Sequence, residues 1–308
     1  MRRLISMIVV LLSVHSAIAQ ITITSSDMPV SGDTLRYSFA STVGSTINLG
    51  DSGTSVAWNY TFTPTAQAVD TYRTALAVNP LYALTIGLSA YGYKVADSFP
   101  LPLPGISIKQ VYTFFEKKSS PSRFEAAAFA ASISGIPTPV NYDTPDVWYF
   151  FPLTYTNNDS AGYQLNISIP GLGGIKQKGY RKSRVDGWGT ITTPYYTSPA
   201  ACIRVRSEIH EIDTVTFGTT TFGLPRNSVE YKWLLNGEHY PALWVTANVL
   251  GGTETISSIR YRDVYRSFDT TPIINSVTNV ASNVTILNAY PNPATDGSIN
   301  IDVPADWG

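Results

Sequence analysis

The stretch EYKWLLNGEHYPALWVTANVLGGTETISSIRYRDVYR, residues 230–266, decides the fold class. Asn236-Gly237 stands between two strand-like runs, Glu230–Leu235 and Ala242–Val249. Asn-Gly is the strongest short hairpin signal, because both residues tolerate positive φ. Gly251-Gly252 then separates Ala242–Val249 from Thr255–Arg266, so the stretch predicts a three-strand meander. Within it Leu243, Val245, Ala247 and Val249 alternate with Trp244, Thr246 and Asn248. One apolar and one polar face per strand is the pattern of antiparallel sheets.

Working outward, the same period recurs. Tyr163, Leu165, Ile167 and Ile169 oppose Gln164, Asn166 and Ser168, and Ile203, Val205 and Ile209 oppose Arg204, Arg206, Glu208 and His210. Asn157–Asp159 and Gly171–Gly174 read as turns between strands. Phe124–Ser134 (FEAAAFAASIS) has helix-forming composition, but its β surroundings favour a strand. Pro100, Pro102 and Pro104 lack ladder donors and mark a loop or an edge. The expectation is an all-β protein, an antiparallel β-sandwich or a strongly curved half-barrel sheet, over residues 20–275.

Composition agrees and excludes several classes. Among 308 residues, 31 Ser and 34 Thr replace charge, which falls to 14% with a formal net charge of −1. That is neither a coiled coil nor a disordered chain, and it lacks the basic footprint of a nucleic-acid binder. Cys202 is the single cysteine, so no intrachain disulfide is expected.

Both ends read as addresses. Arg2-Arg3, an apolar run from Leu4 to Val14, and Ala17-Ile18-Ala19 form a secretory signal peptide over residues 1–19, with Gln20 first after cleavage. That run is short of the ~20 residues that span a bilayer, and no later run approaches it, so no transmembrane segment is expected in the mature chain. At the other end a Ser/Thr/Asn/Val linker, residues 276–287, precedes Tyr290-Pro291-Asn292-Pro293-Ala294 and an alternating strand through Ile299, Ile301 and Val303. This opening resembles the C-terminal sorting domain of type IX secretion cargo in Bacteroidota-type bacteria, and residues 288–308 match its first strand or two. Asp186-Gly187-Trp188-Gly189-Thr190, with the strand Ala201–Arg206 that follows, resembles a pattern in uncharacterised secreted proteins of the same phylum. These resemblances imply export through the Sec translocon and the type IX secretion machinery, to the cell surface or beyond. Thr34, Ser160, Thr214 and Thr270 each follow Asp and resemble the O-glycan acceptors of that phylum.

Candidate chemistry is sparse. Gly50-Asp51-Ser52-Gly53 looks like a nucleophile motif, but no His stands where a serine hydrolase needs one, so a turn is expected. His210 and His239 with Cys202 show no metal-site spacing; no metal and no cofactor are expected. Asp263 falls on the face of Ile259, Tyr261 and Tyr265, and is a hydrogen-bond hub or, as the weaker reading, a catalytic carboxylate. Lys176, Lys178, Lys182 and Arg184 share a face with Tyr180; this stripe suits an anionic polymer, or simply a solvated, aggregation-resistant edge. With no nucleophile–base set, a non-enzymatic module binding surface glycan or envelope lipid, or serving as structure, is favoured over an enzyme. A carbohydrate hydrolase acting through Asp or Glu and a lipid-binding half-barrel carrier are the alternatives.

Overall fold

The computed structural model describes residues 20–99, 107–169 and 173–267, with short backbone segments at 288–290 and 300–302. The chain divides into two units, 1–266 and 267–308. The first opens with a 3-10 turn, Ser25–Asp27, and the strands β1 (Thr34–Ala40), β2 (Gly53–Asn59), β3 (Pro64–Thr71) and β4 (Arg73–Thr74). Two short helices follow, α1 (Ala75–Val78) and α2 (Pro80–Ile86). Asn79 caps α2 by accepting from the Leu81 amide at 3.0 Å, and Pro80 fills the position whose missing N–H costs nothing. Hairpins then follow one another: β5 (Tyr91–Phe99), β6 (Ile108–Ser119), β7 (Ser122–Ile133), β8 (Ile136–Phe150), β9 (Asn158–Ile169) and β10 (Gly173–Thr192). The unit ends with β11 (Ala200–Phe217), β12 (Thr220–Leu234), β13 (Leu243–Leu250) and β14 (Thr253–Arg262). No helix among the described residues is long and apolar enough to cross a membrane.

All fourteen strands belong to one sheet in the order β3-β1-β14-β13-β12-β11-β10-β9-β8-β7-β6-β5-β4, with β2 added beside β10. Every pairing is antiparallel except β2 with β10. The first and last strands of that path are consecutive in the chain. Thr71 of β3 pairs Thr34, Arg73 of β4 pairs Gly92, and Tyr72 between them donates to Asp33 O at 2.9 Å. The sheet therefore rolls until its two ends meet at Tyr72. Of the two expected architectures, the strongly curved single sheet is the one present.

Rolling gives the sheet two unlike faces. Tyr37, Tyr93, Phe115, Phe124, Tyr149, Val205 and Trp244 come from strands far apart in the order, yet form one cluster. Only the inside of the roll can bring them together. The opposite face of β11–β14 carries Cys202, Tyr231, Trp233, Leu243, Val245 and Tyr261, covered by Ile47, Trp58 and Tyr60. The cover fits because β2 lies directly against β10 at Gly187 and Gly189. A Cβ on Gly189 would stand 1.9 Å from the Val56 carbonyl oxygen, so only glycine admits the added strand. α2 closes a third patch, seating Tyr82 and Ile86 on Phe114, Ala128 and Ala130.

Phe124–Ser134 is strand, as its surroundings favoured: β7 contains nearly all of it. Gly251 and Gly252, at φ 59° and 82°, make the expected two-residue turn, with Leu250 opposite Thr253. The expected Asn236-Gly237 hairpin is not a tight one. β12 stops at Leu234 and β13 starts at Leu243 because another segment takes the turn's donors. The Gly237 amide donates to Asp27 Oδ1 at 2.7 Å, and Asn236 Nδ2 donates to Thr22 O at 2.7 Å. The Asn-Gly pair thus docks the start of the described chain.

In the second unit β15 (Asn288–Tyr290) pairs antiparallel with β16 (Asn300–Asp302). Tyr290 ends β15; Pro291, Asn292 and Pro293 lie outside the described residues, as do Ala17, Ala19, Thr270 and residues 276–287.

Candidate functional site: a polar cleft inside the roll

The strands β8 to β13 line a cleft of about 690 Å³ on the inner face. Tyr142 and Asp146 enter from β8, Tyr163 from β9, Gln177 and Arg181 from β10, and Glu211 from β11. Arg226, Asn227 and Ser228 of β12 and Thr246 and Asn248 of β13 complete the wall. Strand alternation puts them there: Gln177 and Arg181 are an even number of residues apart, as are Glu211 and Ile209, and Arg226 is the cross-strand partner of Glu211.

Each acidic side chain in this wall already has donors. Asp146 accepts from Arg181 through both oxygens, Nε at 2.9 Å and NH2 at 2.8 Å. Glu211 accepts from Tyr163 OH at 2.6 Å and from Arg226 NH2, and the same guanidinium reaches Asp213 through Nε at 2.8 Å. Burial and the neighbouring Glu211 raise the Asp213 carboxyl above its ordinary value, against the opposing pull of Arg226. The Tyr142 and Tyr163 phenols are raised by burial and by these acids, so both stay neutral donors.

Behind the cleft the charges continue into the core. Arg181 NH1 and Lys232 Nζ both donate to Glu230 Oε2, at 2.8 and 2.9 Å. Lys232 is 1% exposed, and its Nζ lies 3.8 Å from the Trp148 ring centre and 3.9 Å from that of Trp244. Burial drives the ammonium down to about 8, with Glu230 resisting. Burial also works against the charge of Glu230, but Lys232 and Arg181 outweigh it and hold the carboxyl at about 2. The same two carboxylates, Asp146 and Glu230, more than offset burial at Arg181 and keep it firmly cationic. A small cavity of about 30 Å³ adjoins Lys232, Trp148, Tyr149 and Tyr240, room for one or two waters at most.

The residues singled out from sequence lie elsewhere. Asp263 is 4% exposed and accepts from Ser38 Oγ at 2.7 Å, the Val264 amide at 2.8 Å and Arg266 Nε at 2.6 Å. It is a saturated hub beyond the end of β14, and it does not line the cleft. Arg266 reaches it because strand alternation ends at Arg262, which frees the side chain to turn back. Asp51 and Ser52 sit in an exposed turn entering β2, where Trp58 Nε1 donates to Asp51 O at 3.0 Å. Cys202 is buried, and burial pushes its thiol up. His239 meets Asp33 at 2.8 Å, and His210 stacks on Tyr180. Gln20 is half-buried. Thr34 and Ser160 are exposed, and Thr214 is half-buried.

Sequence reasoning did not assemble the cleft. One signal was present: Arg181 is the cation out of step with Lys176, Lys178, Lys182 and Arg184, so it must point to the other face. Comparison with known families, characterised proteins and solved structures finds no match for this chain.

Proposed function

We propose that the chain is an exported binding module, secreted or displayed at the cell surface, whose cleft takes a neutral, hydroxyl-rich saccharide. The observation that carries this is the state of the cleft's acids. Asp146 and Glu211 are held by arginine and tyrosine donors, which suits a rigid recognition surface better than proton transfer. Around them the amides of Gln177 and Asn248 and the hydroxyls of Ser228 and Thr246 offer both donors and acceptors, the pairing that sugar hydroxyls need. A volume of about 690 Å³ falls within the usual range for ligand pockets. The charged interior argues against a lipid carrier, since an acyl chain would bury those ions without compensating them. The signal peptide and the Tyr290-Pro291-Asn292-Pro293 resemblance support export through the Sec translocon and type IX secretion machinery.

A panel of soluble neutral polysaccharides, titrated into the full chain by calorimetry while released reducing ends are assayed, tests the reading. Binding without product is expected, with Asn248→Ala and Gln177→Ala each weakening it about tenfold, the cost of a lost polar contact. Absence of binding across the panel overturns it. Release of reducing ends that Glu211→Gln abolishes would also overturn it, and would make Glu211 and Asp213 the acids of a hydrolase.

A further inference from the structure

We propose that the outer face of β9–β11 is a second docking surface, for an anionic polysaccharide of the polyuronate type. It lies on the opposite side of the sheet from the cleft and stands independently of the saccharide reading there. Lys176, Lys178, Tyr180, Lys182 and Arg184 are all exposed on this face of β10. Alternate strand residues repeat at ~6.6–6.8 Å, so the cations form a straight row that suits a polymer with regularly spaced negative charge. Among the described residues none of these four cations is ion-paired. The two nearby acids are engaged by others: Glu208 bonds Arg206, while Asp143 accepts from Gln164 Nε2 at 3.0 Å and from Asn166 Nδ2.

Tyr180 gives the row a stacking element. Its ring lies 4.7 Å from that of His210 at 18°, which fixes its orientation. On the other side its cross-strand partner is Gly162, which carries no side chain to cover the ring. A Cβ there would have met only the Gly179 carbonyl, at 3.7 Å, so the glycine leaves open space beside Tyr180. Gln164 and Asn166 sit opposite Lys178 and Lys176. Each of these amides gives an N–H to Asp143, and its carbonyl oxygen accepts no hydrogen bond among the described residues. Those acceptors need donors, which sugar hydroxyls supply and phosphates do not. A nucleic-acid platform would also stack successive bases on several aromatic rings, and here there is one such pair.

Affinity electrophoresis of the full chain through gels containing polygalacturonate, neutral dextran, or no polymer tests this, with a dT oligonucleotide in a parallel mobility-shift assay. Retardation by polygalacturonate that weakens as salt rises is expected. Lys178→Ser with Lys182→Ser, and separately Tyr180→Ala, should each cut affinity about tenfold, with unchanged melting because the positions are exposed. Glu211→Gln should leave this binding untouched. Dextran retardation that the Lys178→Ser, Lys182→Ser variant loses as fully as polygalacturonate retardation overturns the proposal, as does oligonucleotide binding of comparable strength, or full retention of polygalacturonate binding in both variants.

Discussion

Arg181 and Arg204 are chemically the same device placed in different surroundings. Both are buried on strands next to one another, both bind an aspartate through Nε and NH2, and both lie against tryptophan. Arg204 is sealed: Asp186 holds it at 2.8 and 2.9 Å, the Leu49 carbonyl takes NH1, and Trp58, Tyr231 and Trp233 close over it. Arg181 takes a second carboxylate, Glu230, in place of the carbonyl, and its free edge forms part of a cleft wall. The first arrangement fastens a layer to the sheet. The second holds a polar surface in fixed geometry where a ligand can reach it. Burial of a paired charge does not by itself mark a site; the open volume beside it does.

The largest effect is expected where the pair is sealed. Arg204→Ala leaves Asp186 buried without a partner and removes the clamp on residues 47–60. Breaking a buried pair from one side costs about 3–5 kcal/mol, so the melting temperature should fall by on the order of 10 °C. Calorimetric or circular-dichroism melting measures it. Adding Asp186→Leu to Arg204→Met should recover most of the loss, because apolar replacement of both partners removes the stranded charge. If the single variant melts normally, the sealed pair is decoration and the contrast with Arg181 fails.

Arg181→Leu should cost less, about 2 kcal/mol. Glu230 keeps Lys232, and water in the cleft reaches Asp146. Its larger consequence is functional, since Asp146 loses both of its hydrogen bonds and the wall loses its shape. Saccharide titration of Arg181→Lys should show weakened binding at nearly unchanged stability: lysine keeps the charge but not the two-pronged geometry. A variant that binds as well as the parent would separate Arg181 from the site.

The all-β class, the Gly251-Gly252 turn and the strand at Phe124–Ile133 were legible because each rests on a local rule. Which face is inside was not. Leu243 and Val245 alternate with Trp244 and Thr246, and the natural assignment sends the second set to solvent. Here Trp244 instead joins the core within the roll, and Leu243 and Val245 need a cover supplied some 190 residues earlier. Arg204 belongs to the polar set of β11 by the same alternation, and it is 1% exposed. Period-2 alternation reports two faces, never which one the chain will roll around. The cleft was hidden for a related reason: Asp146, Arg181, Glu211 and Arg226 meet only after four ladders are in register. Asp263 drew attention as a carboxylate among apolar neighbours, yet Arg266, three residues on, satisfies it once the strand ends.

A third arginine, the half-buried Arg260, completes the series and gives the smallest effect. Arg260 packs on Trp244, its Cζ 3.7 Å from the ring centre, and lies near Asp70 without forming an ion pair. Asp70 is 4% exposed, accepts from Tyr37 OH at 3.2 Å, and leaves Oδ2 buried with no hydrogen bond. Burial therefore raises its carboxyl to about 6, with Arg260 and Tyr37 only partly compensating. A carboxyl raised in the folded state binds its proton more tightly there than in the unfolded chain. The stability this adds is complete below about 4, and it drains away as pH rises to about 6. Above 6 the ionised Asp70 is a constant burden, at most about 3 kcal/mol for a shift of this size. Asp70→Asn removes the burden while keeping an acceptor for Tyr37, though its new amide carries its own cost of burial. The expected net gain at pH 8 is about 1 kcal/mol, with the advantage vanishing or reversing at pH 4. Chemical denaturation of both proteins across that range measures it. A difference independent of pH would mean that Asp70 stays charged in the fold and that Arg260 pairs with it as fully as Arg204 does with Asp186.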